Sequence, residues 1–238
     1  MTANRVVLAI YAWAAQLPEL RRSLVTVSYS VATTPVMTER LEQTGFANAP
    51  AFNETRNMIN SLRPTVSGRA LFGKPGTALS FGGKVSTAHD RDWDWNLDAE
   101  RRRRELDPHY PGLSAAYAWS GPIDRTKDGL PFFGRLPGHP DILYATGFSG
   151  DGVGPCRLAG KVMAAMALDQ HDEWADLGFV RPPMQDLPPE PICWLGVKMV
   201  RDALGRVDDA VHAGRKPDPV TRKLASLLAS GIVSRSDE

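Results

Sequence analysis

Four glycines crowd the stretch Gly147-Phe148-Ser149-Gly150-Asp151-Gly152-Val153-Gly154. Glycine has no Cβ, so such a loop reaches positive φ without strain and brings its backbone close to a ligand. Pro155 follows, and proline suits the first turn of a helix because its missing N–H costs nothing there. A helix that starts on this loop presents unpaired N–H groups and a partial positive charge. That arrangement favours an anion or a group that becomes one. A second reading, a strand-to-helix turn whose glycines serve packing alone, fits the same pattern. Two other chemistries fail. A dinucleotide-phosphate fingerprint beginning at Gly150-x-Gly152 needs glycine at 155, where proline stands. A serine-hydrolase elbow around Ser149 needs glycine at 151, where aspartate stands.

The flanking elements give the loop its place. Asp141-Ile142-Leu143-Tyr144-Ala145-Thr146 contains a short apolar strand, 142–146, and residues 157–168 are rich in Ala, Met and Leu, as in a packed helix. Upstream, a strand over 115–120 leads into a polar turn over 124–129, then Leu130-Pro131-Phe132-Phe133-Gly134, with turn chemistry at Pro137-Gly138-His139-Pro140. Val6-Val7-Leu8-Ala9-Ile10 reads as a fully buried, parallel-type strand. A short helix over 12–20 is expected next, and a β-branched strand over 24–34 ends at Thr34-Pro35. Residues 52–88 read as a meander with strands at 57–62, 69–72 and 78–85, and turns at Ser67-Gly68 and Lys74-Pro75-Gly76. A helix capped by Asp98 is expected over 98–106, with Arg101–Arg104 as a solvated face. Residues 180–191 form a proline-rich linker, and helices are expected over 195–213 and 219–230.

The chain has 238 residues, enough for one large or two small cores. A formal net charge of +1, with no basic stripe, gives no case for a nucleic-acid partner. Cys156 and Cys193 form no CxxC pair, and His89, His109, His139, His171 and His212 are scattered without HExxH spacing. No metal site is therefore expected, and the cysteine usage fits a reducing cytoplasm. No apolar run reaches the roughly 20 residues of a membrane span, and no signal-peptide pattern opens the chain.

The stretch from Trp119 to Gly134, followed by Asp141 to Gly154, resembles the carboxy-terminal signature of the glycine/D-amino-acid oxidase family of FAD-dependent oxidoreductases. Arg5-Val-Val-Leu-Ala-Ile-Tyr-Ala-Trp13 is similar to the segment in which a buried strand of that family returns to the FAD domain. Ser67-Gly-Arg-Ala-Leu-Phe-Gly73 with Leu79-Ser-Phe-Gly-Gly83 resembles a strand pair of its substrate domain, and the tail from Pro188 resembles one bacterial branch. The resemblance implies FAD as cofactor and hydride transfer from a carbon bearing an amine, with a small amine or amino acid as substrate. It also implies a set of cofactor contacts: Ala9, Trp13, Pro131, Gly134, Gly147, Phe148, Ser149, Gly150, Asp151, Gly152, Val153 and Gly154. Arg69 is a candidate for a bidentate grip on a substrate carboxylate, against the plainer reading of an exposed strand arginine. Phe132, Phe133, Tyr144 and Trp119 read as core.

The family's Gly-x-Gly-x-x-Gly phosphate loop is not found among the 21 glycines, and Tyr11 stands where the family tends to have a small residue. The expectation is therefore a truncated flavoenzyme whose first strand exposes apolar edge surface, with either low solubility or a polypeptide partner supplying the missing half. The alternative is a non-catalytic remnant or interaction subunit. The expected fold is α/β (α+β): a mixed, largely antiparallel substrate-domain sheet with helices, plus partial flavin-domain elements. Four segments are expected: 1–16 (partial FAD domain), 17–118 (substrate domain), 119–180 (return to the FAD domain) and 181–238 (linker and terminal helices).

Overall fold

The computed structural model describes residues 2–87, 115–170, 173, 174 and 176–227. The expected helix over 98–106, with Arg101–Arg104, and His89, His109 and His171 lie outside them. The chain divides into two compact units: residues 1–27, 79–85 and 122–238, and residues 28–78 and 86–121.

The first unit holds a three-stranded sheet of order β1-β8-β7. Strand β1 (Val6–Leu8) runs parallel to β8 (His139–Thr146), pairing Val6 with Ile142 and Leu8 with Tyr144. Strand β7 (Phe132–Leu136) lies antiparallel on the other side of β8. Because β8 is flanked on both edges and both faces, its second half carries no alternation: Leu143, Tyr144, Ala145 and Thr146 are all buried. The β7–β8 turn is tighter than expected. Gly138, at φ +78°, reverses the chain, so His139 and Pro140 already belong to β8. The expectation of a fully buried first strand is overturned. Val6 and Val7, which point to opposite faces, are 44% and 45% exposed, so neither face of β1 is covered there.

A 3-10 helix (Tyr11–Gln16) follows β1 and buries Ala12, Ala14 and Ala15. Ala14 and Ala15 pack with Leu20, Leu24, Phe132, Leu136 and Tyr144. It stops short of the expected residue 20 because Leu17, preceding Pro18, is pushed into extended backbone (ψ 129°). Helix α2 (Pro155–Ala167; the sequence suggested 157–168) presents Ala159, Val162, Met163 and Met166, a spacing that puts one apolar stripe against Phe133, Leu143 and Phe148. Each large side chain buried there contributes about 1.5–3 kcal/mol. Helix α3 (Ile192–His212) starts three residues before the expected Leu195. Glu190 accounts for this by accepting the first-turn N–H of Trp194 at 3.0 Å. Helix α4 (Pro219–Ala225) packs on α3 and is capped by Asp218, which accepts the Thr221 N–H at 2.9 Å.

The second sheet has order β3-β4-β5-β2-β6, from β2 (Val25–Thr33), β3 (Phe52–Asn53), β4 (Ser61–Pro64), β5 (Ala70–Leu79) and β6 (Tyr117–Arg125). Helix α1 (Thr38–Gln43) places Leu41 with Phe46, Leu62 and Ala70. Four expectations change here. Lys74-Pro75-Gly76 is no turn but lies within β5. The last β4–β5 pair is Ser61 with Gly73, so beyond it proline's missing N–H breaks no bond to β4. The strand expected over 57–62 begins only at Ser61, and residues expected to form a strand over 80–85 are turn and coil. β6 runs on to Arg125, through the first residues of the expected polar turn.

Candidate functional site

Strand β8 delivers the chain into the glycine loop, and α2 carries it away. Three residues of the loop take positive φ: Gly147 at +80°, Ser149 at +56° and Gly150 at +101°. Gly147 is fixed by packing as well, since a Cβ there would lie 2.6 Å from Thr126 Cγ2 and 3.1 Å from the Phe132 ring. Gly152 and Gly154 are different. Neither has positive φ, a Cβ on Gly152 would meet only ordinary contacts, and one on Gly154 would have nothing within 4 Å. The packing-only reading therefore explains Gly147 but not these two.

The loop's N–H groups divide in the same way. Gly147 donates to Asp124 Oδ2 at 2.5 Å, Ser149 to the Asp124 carbonyl at 2.9 Å and Asp151 to the Phe148 carbonyl at 2.9 Å. The Gly150 N–H meets the Tyr11 hydroxyl. In the first turn of α2, Cys156 and Arg157 donate back to Gly152 and Gly154. The N–H groups of Gly152, Val153 and Gly154 have no acceptor among the described residues, the helix start has no side-chain cap, and Val153 stands fully in solvent. These are the donors left for an incoming group.

Asp124 is the residue that the sequence reading passed over as part of a polar turn. It sits in β6 with no exposure; Oδ2 also accepts the Thr146 hydroxyl at 2.8 Å, while Oδ1 is buried without a partner. Burial pushes its carboxyl above the usual range, opposed by the hydrogen bonds from Gly147 and Thr146. Burial likewise raises Tyr11, with the Asp124 charge adding to it. Tyr11 holds φ +49° and packs its ring 6.4 Å from Phe148. Next in β6, Arg125 has its Nε buried and unpartnered; desolvation lowers its pKa against the opposing pull of Asp151. Thr126 closes the brace: its N–H donates to Ser149 Oγ at 3.2 Å.

The other expected contacts are spread out. Pro131 is buried beside Phe132, and Gly134 lies under Tyr144, whose hydroxyl would stand 2.9 Å from a Cβ there. Ala9 and Trp13 are exposed next to β1, Trp13 by 49%. Arg69, in the second unit, donates to the Thr34 carbonyl at 2.8 Å and stacks 5.3 Å over the Tyr117 ring. Phe132, Phe133 and Tyr144 are core as expected, but Trp119 is 47% exposed. Among the described residues no cluster of three metal-ligating side chains occurs, and no helix is long and apolar enough to cross a membrane.

Known proteins share this organisation. The probable oxidoreductase OrdL of Haemophilus influenzae is 28% identical over 150 residues, 62% of this chain and 31% of its own length. Gamma-glutamylputrescine oxidoreductase of Escherichia coli is 28% identical over 167 residues, 67% of this chain and 36% of its own. The chain thus spans about a third of the curated relatives it matches. Among solved structures, glycine oxidase from Geobacillus kaustophilus aligns with a TM-score of 0.52 at 22% identity, covering 76% of this chain and 45% of that one. Fructosamine oxidase (Amadoriase II) from Aspergillus fumigatus aligns at 0.60 and 15% identity, covering 77% and 44%. These likenesses support the mixed α/β fold. Residues 1–166, from β1 through the glycine loop and nearly all of α2, match the FAD-dependent oxidoreductase (DAO) family model, and the chain belongs to that family.

Proposed function

We propose that this chain is the flavin-ring and substrate-domain part of an enzyme that oxidises a small amine or amino acid. The observation that carries the reading is the glycine loop: Gly152 and Gly154 meet no internal requirement for glycine, and their N–H groups, with that of Val153, have no acceptor among the described residues at an uncapped helix start. Such donors fit a group that gains negative charge on accepting hydride. Bound FAD would supply the hydride acceptor for the carbon bearing the amine. The residues that would hold it are Gly152, Val153 and Gly154 through their N–H groups, with Gly147–Asp151 shaping the loop and Pro131 and Gly134 behind it. Ala9 and Trp13, exposed beside β1, would meet the rest of the cofactor. Arg69 would grip a substrate carboxylate after leaving Thr34.

We read the chain as cytoplasmic, with a polypeptide partner that adds a strand to β1 and brings the phosphate-binding loop. The half-exposed Val6 and Val7 support the partner. The same exposure also supports a second reading, an interaction subunit without redox chemistry. Titration of the full chain with FAD, followed by anaerobic addition of amines, separates the two. A saturable change of the visible flavin band that bleaches with amine supports the enzyme; no FAD binding, alone or with an amino-terminal half from a relative, supports the subunit.

A further inference from the structure

Burying a carboxylate costs several kcal/mol unless its partners repay it, and Asp124 is repaid on one oxygen only. The two donors hydrogen-bonded to its side chain lie where β8 enters the glycine loop: the Thr146 hydroxyl at 2.8 Å and the Gly147 N–H at 2.5 Å. Its own carbonyl takes the Ser149 N–H at 2.9 Å. A single β6 residue therefore holds the loop at two peptide groups on either side of Phe148. An apolar residue of similar volume would fill the space without the desolvation cost, but it would leave Gly147 free to rotate.

We propose that Asp124 is the positioning residue of the glycine loop, consuming the Gly147 and Ser149 N–H groups so that those of Gly152, Val153 and Gly154 are the ones presented outward. The inference deepens the flavin reading and rests on it for what the outward donors meet. It explains why the loop's first half turns inward and its second half does not. Oδ2 and the carbonyl of Asp124 are both turned to residues 146–149, and Thr126 fastens Ser149 from the same strand. The positive φ of Gly147 and Ser149 is the conformation this anchoring requires.

The test compares the full chain with its Asp124→Asn and Asp124→Ala variants. Asparagine keeps an acceptor for Gly147 and matches the shape, so it guards against a variant that fails to fold. In the first arm, without FAD, amide exchange at Gly147 and Ser149 is read beside that at Leu143 and Tyr144 of β8. The expected result in Asp124→Ala is exchange about tenfold faster at Gly147, whose acceptor is the side chain, with a smaller rise at Ser149, whose main-chain acceptor remains, restoration by Asp124→Asn and no change in β8. Equal exchange in all three proteins, or acceleration spread evenly over β8, overturns the proposal. In the second arm FAD is titrated while the Gly152, Val153 and Gly154 amide signals are followed. Asp124→Ala is expected to weaken binding about tenfold and to lose these shifts, with Asp124→Asn near wild type. Unchanged affinity and shifts in Asp124→Ala overturn the positioning role. Failure of the wild type to bind FAD sinks the flavin reading alone, since the exchange arm still judges Asp124.

Discussion

A methyl group added at Gly147 would sit 2.6 Å from Thr126 Cγ2 and 3.1 Å from two atoms of the Phe132 ring, on a backbone held at φ +80°. The left-handed conformation costs a non-glycine residue about 1–2 kcal/mol, and overpacking a closed contact adds about 1–3 kcal/mol. Gly147→Ala is therefore expected to lose about 2–5 kcal/mol, which at a urea slope of about 2–3 kcal/mol per M moves the midpoint down by about 0.7–2.5 M. Gly154→Ala is the matched control. Its φ is −73° and no atom lies within 4 Å of the added carbon, so stability should change by less than about 1 kcal/mol. Urea titrations of both variants, read by tryptophan fluorescence, check the pair. Equal losses, or a larger loss at Gly154, would refute the division of the loop into an internally fixed half and a ligand-facing half.

Other outcomes follow from the same contacts. Gly154→Ala, though neutral for stability, should weaken FAD binding about tenfold, equivalent to about 1.4 kcal/mol, in a fluorescence titration. Gly134→Ala presses a methyl against the Tyr144 hydroxyl and should cost about 1–3 kcal/mol; adding Tyr144→Phe removes the hydroxyl and should recover part of the loss in a double-mutant cycle. Burial raises the Asp124 carboxyl above 3.8, so the folded chain binds this proton more tightly than the unfolded chain. The stabilisation that results is complete below 3.8 and is lost as pH rises through the higher folded value. Relative to Asp124→Asn, the wild type should thus lose stability over that window and run parallel above it. Urea midpoints of the two proteins across acidic pH check the sign, and a wild type that gains stability relative to Asp124→Asn with rising pH would contradict it.

The strand–loop–helix unit around the glycines was legible because each part obeys a local rule. Leu143 to Thr146 form a run without alternation, Gly147 and Gly150 supply positive φ, and Pro155 sits in the first turn of α2. The parallel strand at Val6 was legible in type but not in environment, because an apolar run does not say which of its faces is covered. Proline misled twice. Pro75 suggested a turn where β5 has passed the end of β4, and Pro140 extended the expected turn into what is β8. Asp124 was missed for a related reason: Pro122 and the polar residues after it look like the end of a strand, so an aspartate there reads as turn chemistry. Its partners at 146–149 are more than 20 residues away, and nothing local marks them.

The central claim is that the outward N–H groups of residues 152–154 meet a flavin. The most direct measurement follows the amide resonances of Gly152, Val153 and Gly154 while the full chain is titrated with FAD, alone and with an amino-terminal half from a relative carrying the phosphate loop. The account predicts saturable shifts at these three amides that track the change in the visible flavin band, while the inward-facing amides of Gly147 and Ser149 stay in place. Binding of FAD that leaves residues 152–154 unmoved, or no binding in either arm, would contradict it.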